Sequence, residues 1–124
     1  MTTRRRTAIL ISGRGTNMAA LIEAARAPSY PAEIVLVISN IPTAKGLETA
    51  RAVGIKSLVI SHKEYSNKST FEAALSHSLN EAKIELICLA GFMRVLSADF
   101  VSRWTGRILN IHPSLLPAYR GLDT

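Results

Sequence analysis

Cysteine is nearly missing from this sequence. The 124 residues hold one, Cys88, so no internal disulfide can form. Its place within an apolar run marks it as a buried, inert thiol. Cysteine and histidine never cluster at zinc-ligand spacing, so no metal site is expected. No apolar run reaches the ~18 residues that a membrane span needs. The richest segment, Ile84 to Leu96, is broken by Glu85 and Arg94. No apolar signal region with a small-residue cleavage site follows Arg4-Arg5-Arg6, and a strand beginning at Thr7 leaves too little length for a mitochondrial address. The expectation is a cytoplasmic protein without a membrane partner. Aromatic residues are few, at 6%, and do not interleave with the basic ones. A formal net charge of +6 is therefore better matched to a phosphorylated small molecule than to a nucleic-acid groove. The Arg triplet reads as a solvated tail.

Two nucleotide motifs are also lacking. A dinucleotide turn, Gly-x-Gly-x-x-Gly from Gly13, needs glycine at position 18, where Met18 stands. The acidic ribose contact that should end the second strand is replaced by Ser39-Asn40. No Gly-Lys-Ser/Thr occurs, which excludes a nucleotide P-loop.

What is present is an alternation of strand and helix. Thr7–Ser12 is a continuous apolar run of strand length, as in a parallel sheet covered on both faces. Ser12-Gly13-Arg14-Gly15-Thr16-Asn17 makes a glycine turn, and Met18–Ala27 suits a helix capped by Thr16 or Asn17. Such a turn aims backbone N–H groups and a helix N-terminus at an anion; it equally serves as a tight connection with an ordinary cap. Ala32–Ser39 is a β-branched second strand. Ala44–Val53 is a helix stopped by Gly54, and Lys56–Ile60 is a third strand. His62–Ser69 is polar and reads as a solvated loop. A helix over Thr70–Ala82 buries Phe71, Leu75 and Leu79 and leaves His77 outside. Ile84–Ala90 is the fourth strand, and the apolar loop Gly91–Leu96, with Arg94, leaves its carboxyl end. Ser97 caps a helix over Ala98–Trp104, and a buried fifth strand spans Arg107–Ile111. Together these predict one domain over residues 1–124, a doubly wound α/β parallel sheet, with residues 1–6 as a disordered tail.

The fifth strand ends on Asn110 and His112, two apart and so on one face. Pro113 biases His112 toward extended backbone, and Pro117 stiffens the exit. An imidazole that exchanges protons near neutrality and an amide that donates to a developing oxyanion suit attack on a carbonyl. The pair also reads as strand-end residues that satisfy nearby backbone.

Three blocks occur in order: Ile11-Ser12-Gly13-Arg14-Gly15-Thr16-Asn17, Leu89-Ala90-Gly91-Phe92-Met93-Arg94-Val95-Leu96, and Asn110-Ile111-His112-Pro113-Ser114-Leu115-Leu116-Pro117. With these, the chain resembles the phosphoribosylglycinamide formyltransferases from about residue 7 onward. The third block is shared, in variant form, with methionyl-tRNA formyltransferase and formyltetrahydrofolate hydrolase. The resemblance implies a Rossmann-like formyltransferase fold and transfer of a formyl group from 10-formyltetrahydrofolate to the amine of glycinamide ribonucleotide in purine biosynthesis. It implies that Gly15, Thr16 and Asn17 hold the ribonucleotide phosphate. Met93, Arg94, Val95 and Leu96 form the folate-binding loop, with Lys68 where the family can carry an arginine. Asn110 contacts the formyl oxygen and folate, and His112 donates the proton. Lys68 keeps the charge of that arginine but loses its planar fork.

The resemblance departs at the C-terminus. The family's third catalytic residue, an aspartate, would lie beyond Thr124, as would more sheet and a long helix. The sequence is therefore expected to be the N-terminal portion of the domain, with a less readily protonated His112, weak turnover, and self-association through an exposed sheet edge. The alternatives are another formyl-folate enzyme and a non-catalytic phosphate-binding fragment.

Overall fold

Alternating apolar residues at the centre of the chain's first strand send Ile9 and Ile11 to one side of a sheet and Ala8 and Leu10 to the other. All four are fully buried, so both faces must be covered. A computed structural model describes residues 4–13 and 15–111. Its strands are β1 (Arg5–Ile11), β2 (Ala32–Ser39), β3 (Lys56–Val59), β4 (Leu86–Leu89) and β5 (Ile108–Asn110). They pair in parallel in the order β3-β2-β1-β4-β5. The helices are α1 (Thr16–Ala24), α2 (Lys45–Ala52), α3 (Lys68–Glu81) and α4 (Ala98–Arg103), and one 3-10 turn spans His62–Glu64.

Two cores result, one on each face. Met18, Leu21 and Leu47 of α1 and α2 pack with Ile9, Ile11, Val37 and Cys88. Phe71, Leu75 and Leu79 of α3 and Phe100 of α4 pack with Leu10, Leu36, Ile38 and Ile87. This is the doubly wound architecture that the strand–helix alternation predicts. The stripe on α3 is buried as its four-residue spacing requires, and His77 is exposed.

Several boundaries differ, each for a local reason. β1 begins at Arg5 rather than Thr7, and the Arg triplet is not a free tail. Arg4 donates to the carbonyls of Tyr30 at 3.1 Å, Ala25 at 2.5 Å and Ala32 at 2.8 Å. Arg6 donates twice to Ala82 O, at 3.0 and 2.9 Å. Guanidinium groups thus take up carbonyls that the ends of α1 and α3 leave over. Residues 1–3 lie outside the described residues.

α1 starts at Thr16 with Gly15 as its N-cap, and neither Thr16 nor Asn17 caps it. The left-handed φ of 75° at Gly15 turns the chain directly into the helix. α3 starts two residues earlier than expected, because Asn67 Oδ1 accepts from Thr70 N at 2.9 Å. Lys68 is therefore helical. The polar stretch before it is not all loop, since Ser61 caps the 3-10 turn. Ser97 caps α4 as predicted.

β5 is the main correction to the expected core. Among the described residues it pairs with β4 only, and Leu109 is 49% exposed. Among the described residues nothing lies along its other edge, so its apolar sequence is not matched by burial.

Cys88 sits on β4, buried against the α1 and α2 face. Burial raises its thiol pKa to about 11. Because the folded value is raised above the ordinary 9.0, the thiol's contribution to stability is full below pH 9.0 and is lost as the pH climbs through about 11. Iodoacetamide at pH 8 should leave the folded chain unmodified and alkylate it once in denaturant. Rapid labelling of the native chain would contradict this burial.

Candidate active site at the switch point of the sheet

β1 lies between β2 and β4, so the chain's path reverses at the β1–β4 boundary. Crevices at the carboxyl ends of strands beside such a reversal hold the ligands of open α/β sheets. Three segments meet there: the turn after β1, the loop after β4 and the end of β5.

The turn after β1 is held against α2. Gly46 N donates to Gly13 O at 3.0 Å. A Cβ on Gly15 would lie 3.0 Å from both Gly46 Cα and Met18 Cε. α1 has no side-chain cap and no acidic residue in its first turn. Its leading end therefore keeps its positive character for an anion. Thr16 is exposed, and Gly15 and Asn17 are half-buried. A cleft of about 200 Å³ is lined by Ser12, Gly15, Thr16, Asn17, Gly91 and Met93. The Asn17 side-chain amide reaches Ile111 O at 3.5 Å, which ties the turn to the end of β5.

The loop after β4 is anchored twice. Met93 N donates to Ser12 Oγ at 2.8 Å. At the other end, Ser97 N and Oγ donate to the Glu72 carboxylate at 2.7 and 2.5 Å. Glu72 is buried on α3. Glu72→Ala is expected to cost about 1.5–3 kcal/mol in denaturant unfolding, the usual worth of hydrogen bonds to a charged group, since it takes the carboxylate from the half-buried donors of Ser97. A loss below about 0.5 kcal/mol would show that water replaces the carboxylate.

Between those anchors, Met93 and Val95 are 77% and 79% exposed. Phe92 and Leu96 pack back onto the α3 and α4 core. Arg94 lines a second cleft, of about 220 Å³, with His62, Tyr65, Asn67, Lys68 and Phe71. The structure thus places Gly15, Thr16, Asn17 and Met93 around one cleft and Lys68 and Arg94 around another. Val95 lines neither, and the Leu96 side chain serves the core. Asn110 is exposed at the end of β5, in register with Leu89. His112 lies outside the described residues.

Sequence reasoning passed over Ser12, Asn40 and His62 as site residues. Ser12 Oγ donates to Asn40 Oδ1 at 2.5 Å, and Asn40 Nδ2 lies 3.2 Å from His62 Nδ1. Their common signal was position, since Ser12 and Asn40 each follow a strand at the carboxyl edge of the sheet. With Asn40 Oδ1 turned to Ser12, His62 Nδ1 must accept, which requires a neutral ring. Partial burial, with the cations of Arg94 and Lys63, lowers the His62 pKa below its ordinary 6.5. Because the folded value is depressed, this imidazole's contribution to stability is present above pH 6.5 and is lost as the pH falls through the lower folded value. His62→Gln should flatten the stability profile in that range; an unchanged profile would assign the slope to other groups.

A roomier cavity, about 590 Å³, lies at the amino ends of the strands beside α1 and α2, where Arg4, Ile22, Glu33 and Ile55 line it. It contains none of the predicted site residues.

The class defined by these features is an open α/β domain with a glycine turn at the switch point and an exposed carboxamide at the end of β5. The chain belongs to the formyl transferase family, whose N-terminal domain matches residues 5–124. It is 56% identical to the trifunctional purine biosynthetic protein adenosine-3 of Drosophila melanogaster, over 96% of this chain and 9% of that protein. It is 43% identical to phosphoribosylglycinamide formyltransferase of Haemophilus influenzae, over 97% of this chain and 57% of that protein. The crystal structure of phosphoribosylglycinamide formyltransferase from Brucella melitensis superposes with a TM-score of 0.86 at 48% identity, covering 98% of this chain and 67% of that one. The chain thus spans from about a tenth to less than three-fifths of the length of these two curated relatives.

Proposed function

We propose that the chain forms the ribonucleotide- and folate-binding part of a phosphoribosylglycinamide formyltransferase, working in the cytoplasm on small-molecule substrates. The observation that carries this reading is the meeting of the turn after β1, the loop after β4 and the end of β5 at one sheet edge, joined by the Met93–Ser12 and Asn17–Ile111 hydrogen bonds. In it Gly15, Thr16 and Asn17 take the phosphate of glycinamide ribonucleotide. The 93–96 loop takes 10-formyltetrahydrofolate, chiefly through Met93 and the backbone, while Lys68 and Arg94 offer positive charge to its acidic end.

The acceptor amine attacks the formyl carbon, a C–N bond forms, and the carbonyl oxygen becomes an oxyanion. Asn110 donates to that oxygen, and His112, in the role the resemblance gives it, supplies a proton. The bond from carbon to the folate nitrogen then breaks, and the proton lost by the amine balances the one gained by the leaving nitrogen. Acid–base help of this kind contributes roughly a hundred- to ten-thousand-fold. Nucleic acid has no part in this reading. Among the described residues β5 pairs on one side, with β4, which supports self-association along its other edge.

The test is calorimetric binding of glycinamide ribonucleotide and of tetrahydrofolate, followed by assay of formyl transfer. Binding of both, with transfer abolished by His112→Asn and affinity little changed, supports the reading. Binding of neither overturns it. Binding of phosphate without folate would favour the non-catalytic alternative.

A further inference from the structure

The clefts that would hold the two substrates meet at the loop after β4, which gives Met93 to one and Arg94 to the other, and one buried carboxamide touches groups bordering both. Asn40 is 2% exposed at the end of β2. Its Oδ1 accepts from Ser12 Oγ, the residue that opens the phosphate turn. The same Ser12 oxygen accepts the amide hydrogen of Met93 in the loop after β4. On its other side, Asn40 Nδ2 lies within hydrogen-bond distance of His62 Nδ1, and His62 borders the cleft that contains Lys68 and Arg94. His62 is in turn set edge-on to Phe71, with ring centres 6.3 Å apart. Asn40 N also donates to Ile11 O at 3.3 Å, which fixes the carboxamide to β1 by its own backbone.

We propose that Asn40 is a positioning residue that locks the phosphate turn and the 93–96 loop into one unit, so that filling either cleft prepares the other. Every member of this relay is committed. Ser12 has one hydroxyl hydrogen, and spending it on Asn40 leaves its lone pairs to receive Met93 N–H. Asn40 is too buried to exchange these partners for water, and an unmade bond there costs more than one at the surface. A phosphate that orders the turn therefore orders Ser12 and, through it, the Met93 amide. Linkage makes the effect reciprocal. The inference rests on the function proposed above, and it goes beyond it by predicting that the two substrates bind cooperatively.

The experiment measures each substrate's affinity alone and with the other saturating, using glycinamide ribonucleotide and tetrahydrofolate on the full chain. The wild type should show a coupling factor of about 5–150, the usual range for linked sites. Ser12→Ala removes only the bridging hydroxyl and should bring the factor close to one, while exchange of the Met93 amide with deuterium speeds up. Ser12→Thr, which restores the hydroxyl, should recover both. Asn40→Ala should behave as Ser12→Ala; should it fail to fold, Ser12→Ala decides. A residue that merely supports the fold would weaken both affinities together and leave their ratio alone. Wild-type coupling or unaltered Met93 exchange in Ser12→Ala overturns the inference. A wild-type chain that binds both substrates without coupling overturns it and leaves the proposed function standing, whereas a chain that binds neither overturns both.

Discussion

Asn110→Ala is expected to lower the turnover of formyl transfer by about 100- to 1,000-fold, the usual cost of one donor lost from a developing oxyanion. Ribonucleotide affinity should change little, because the glycine turn proposed to hold its phosphate is built on β1 and α1 rather than on β5. Stability should also hold. Asn110 is exposed at the end of a strand whose register depends on backbone pairing with β4, and exposed substitutions of this kind are usually within about 0.5 kcal/mol. Asn110→Asp should be at least as damaging, since it puts an acceptor's negative charge where a donor is required. The measurement is kcat with substrate binding determined separately. A kcat within a few-fold of wild type would remove Asn110 from the chemistry and leave it as the end of a strand.

Gly15→Ala should strike the other half of the site. The position has a φ of 75°, where a side chain costs about 1–2 kcal/mol. The added Cβ would also meet Gly46 Cα and Met18 Cε at 3.0 Å. Met18 Cε is the end of a flexible side chain and can give way. Gly46 Cα is backbone, and Gly46 is bound to Gly13 by the 3.0 Å hydrogen bond, so it cannot move without disturbing the turn. The strain must be relieved by displacing the leading end of α1. Misplacement of about 1 Å in such a site can cost about 100-fold, so ribonucleotide affinity should fall by one to two orders of magnitude. Folding stability should drop by about 1–3 kcal/mol. Calorimetry and denaturant unfolding read the two effects separately. Wild-type affinity in a folded Gly15→Ala chain would show that the turn is a connection and no anion site.

Much of the fold was legible because its signals are local. β2 spans Ala32–Ser39 as read, since a run of β-branched residues bounded by turn formers admits little else. The buried stripe of α3 and the Ser97 cap of α4 follow from spacing and from one hydroxyl. The errors fall where a distant partner overrules the local signal. The Arg triplet looked like a tail because its acceptors, the carbonyls of Ala25, Tyr30, Ala32 and Ala82, are from 21 to 76 residues away in sequence. β5 looked buried because its residues are apolar, but burial of a strand depends on what lies beside it.

The site divides in the same way. The glycine turn, the loop after β4 and Asn110 were identifiable by residue type and spacing. That Leu96 turns into the core, that Val95 stands out in solvent and that Lys68 and Arg94 share a cleft could not be. Nor could the relay through Ser12, Asn40 and His62, whose members are 28 and 22 residues apart and of which only Ser12 belongs to one of the three blocks.

The amino-acid order by itself determined the alternation of strands and helices, the glycine-dependent turn and the residue types on which the proposed chemistry calls, because apolar periodicity, backbone freedom and side-chain chemistry act within a few residues. Only the tertiary structure decided that β1 is central, which loops share a crevice and which polar groups are paired inside. Those outcomes depend on the order in which strands pair and on hydrogen bonds closed across distant parts of the chain.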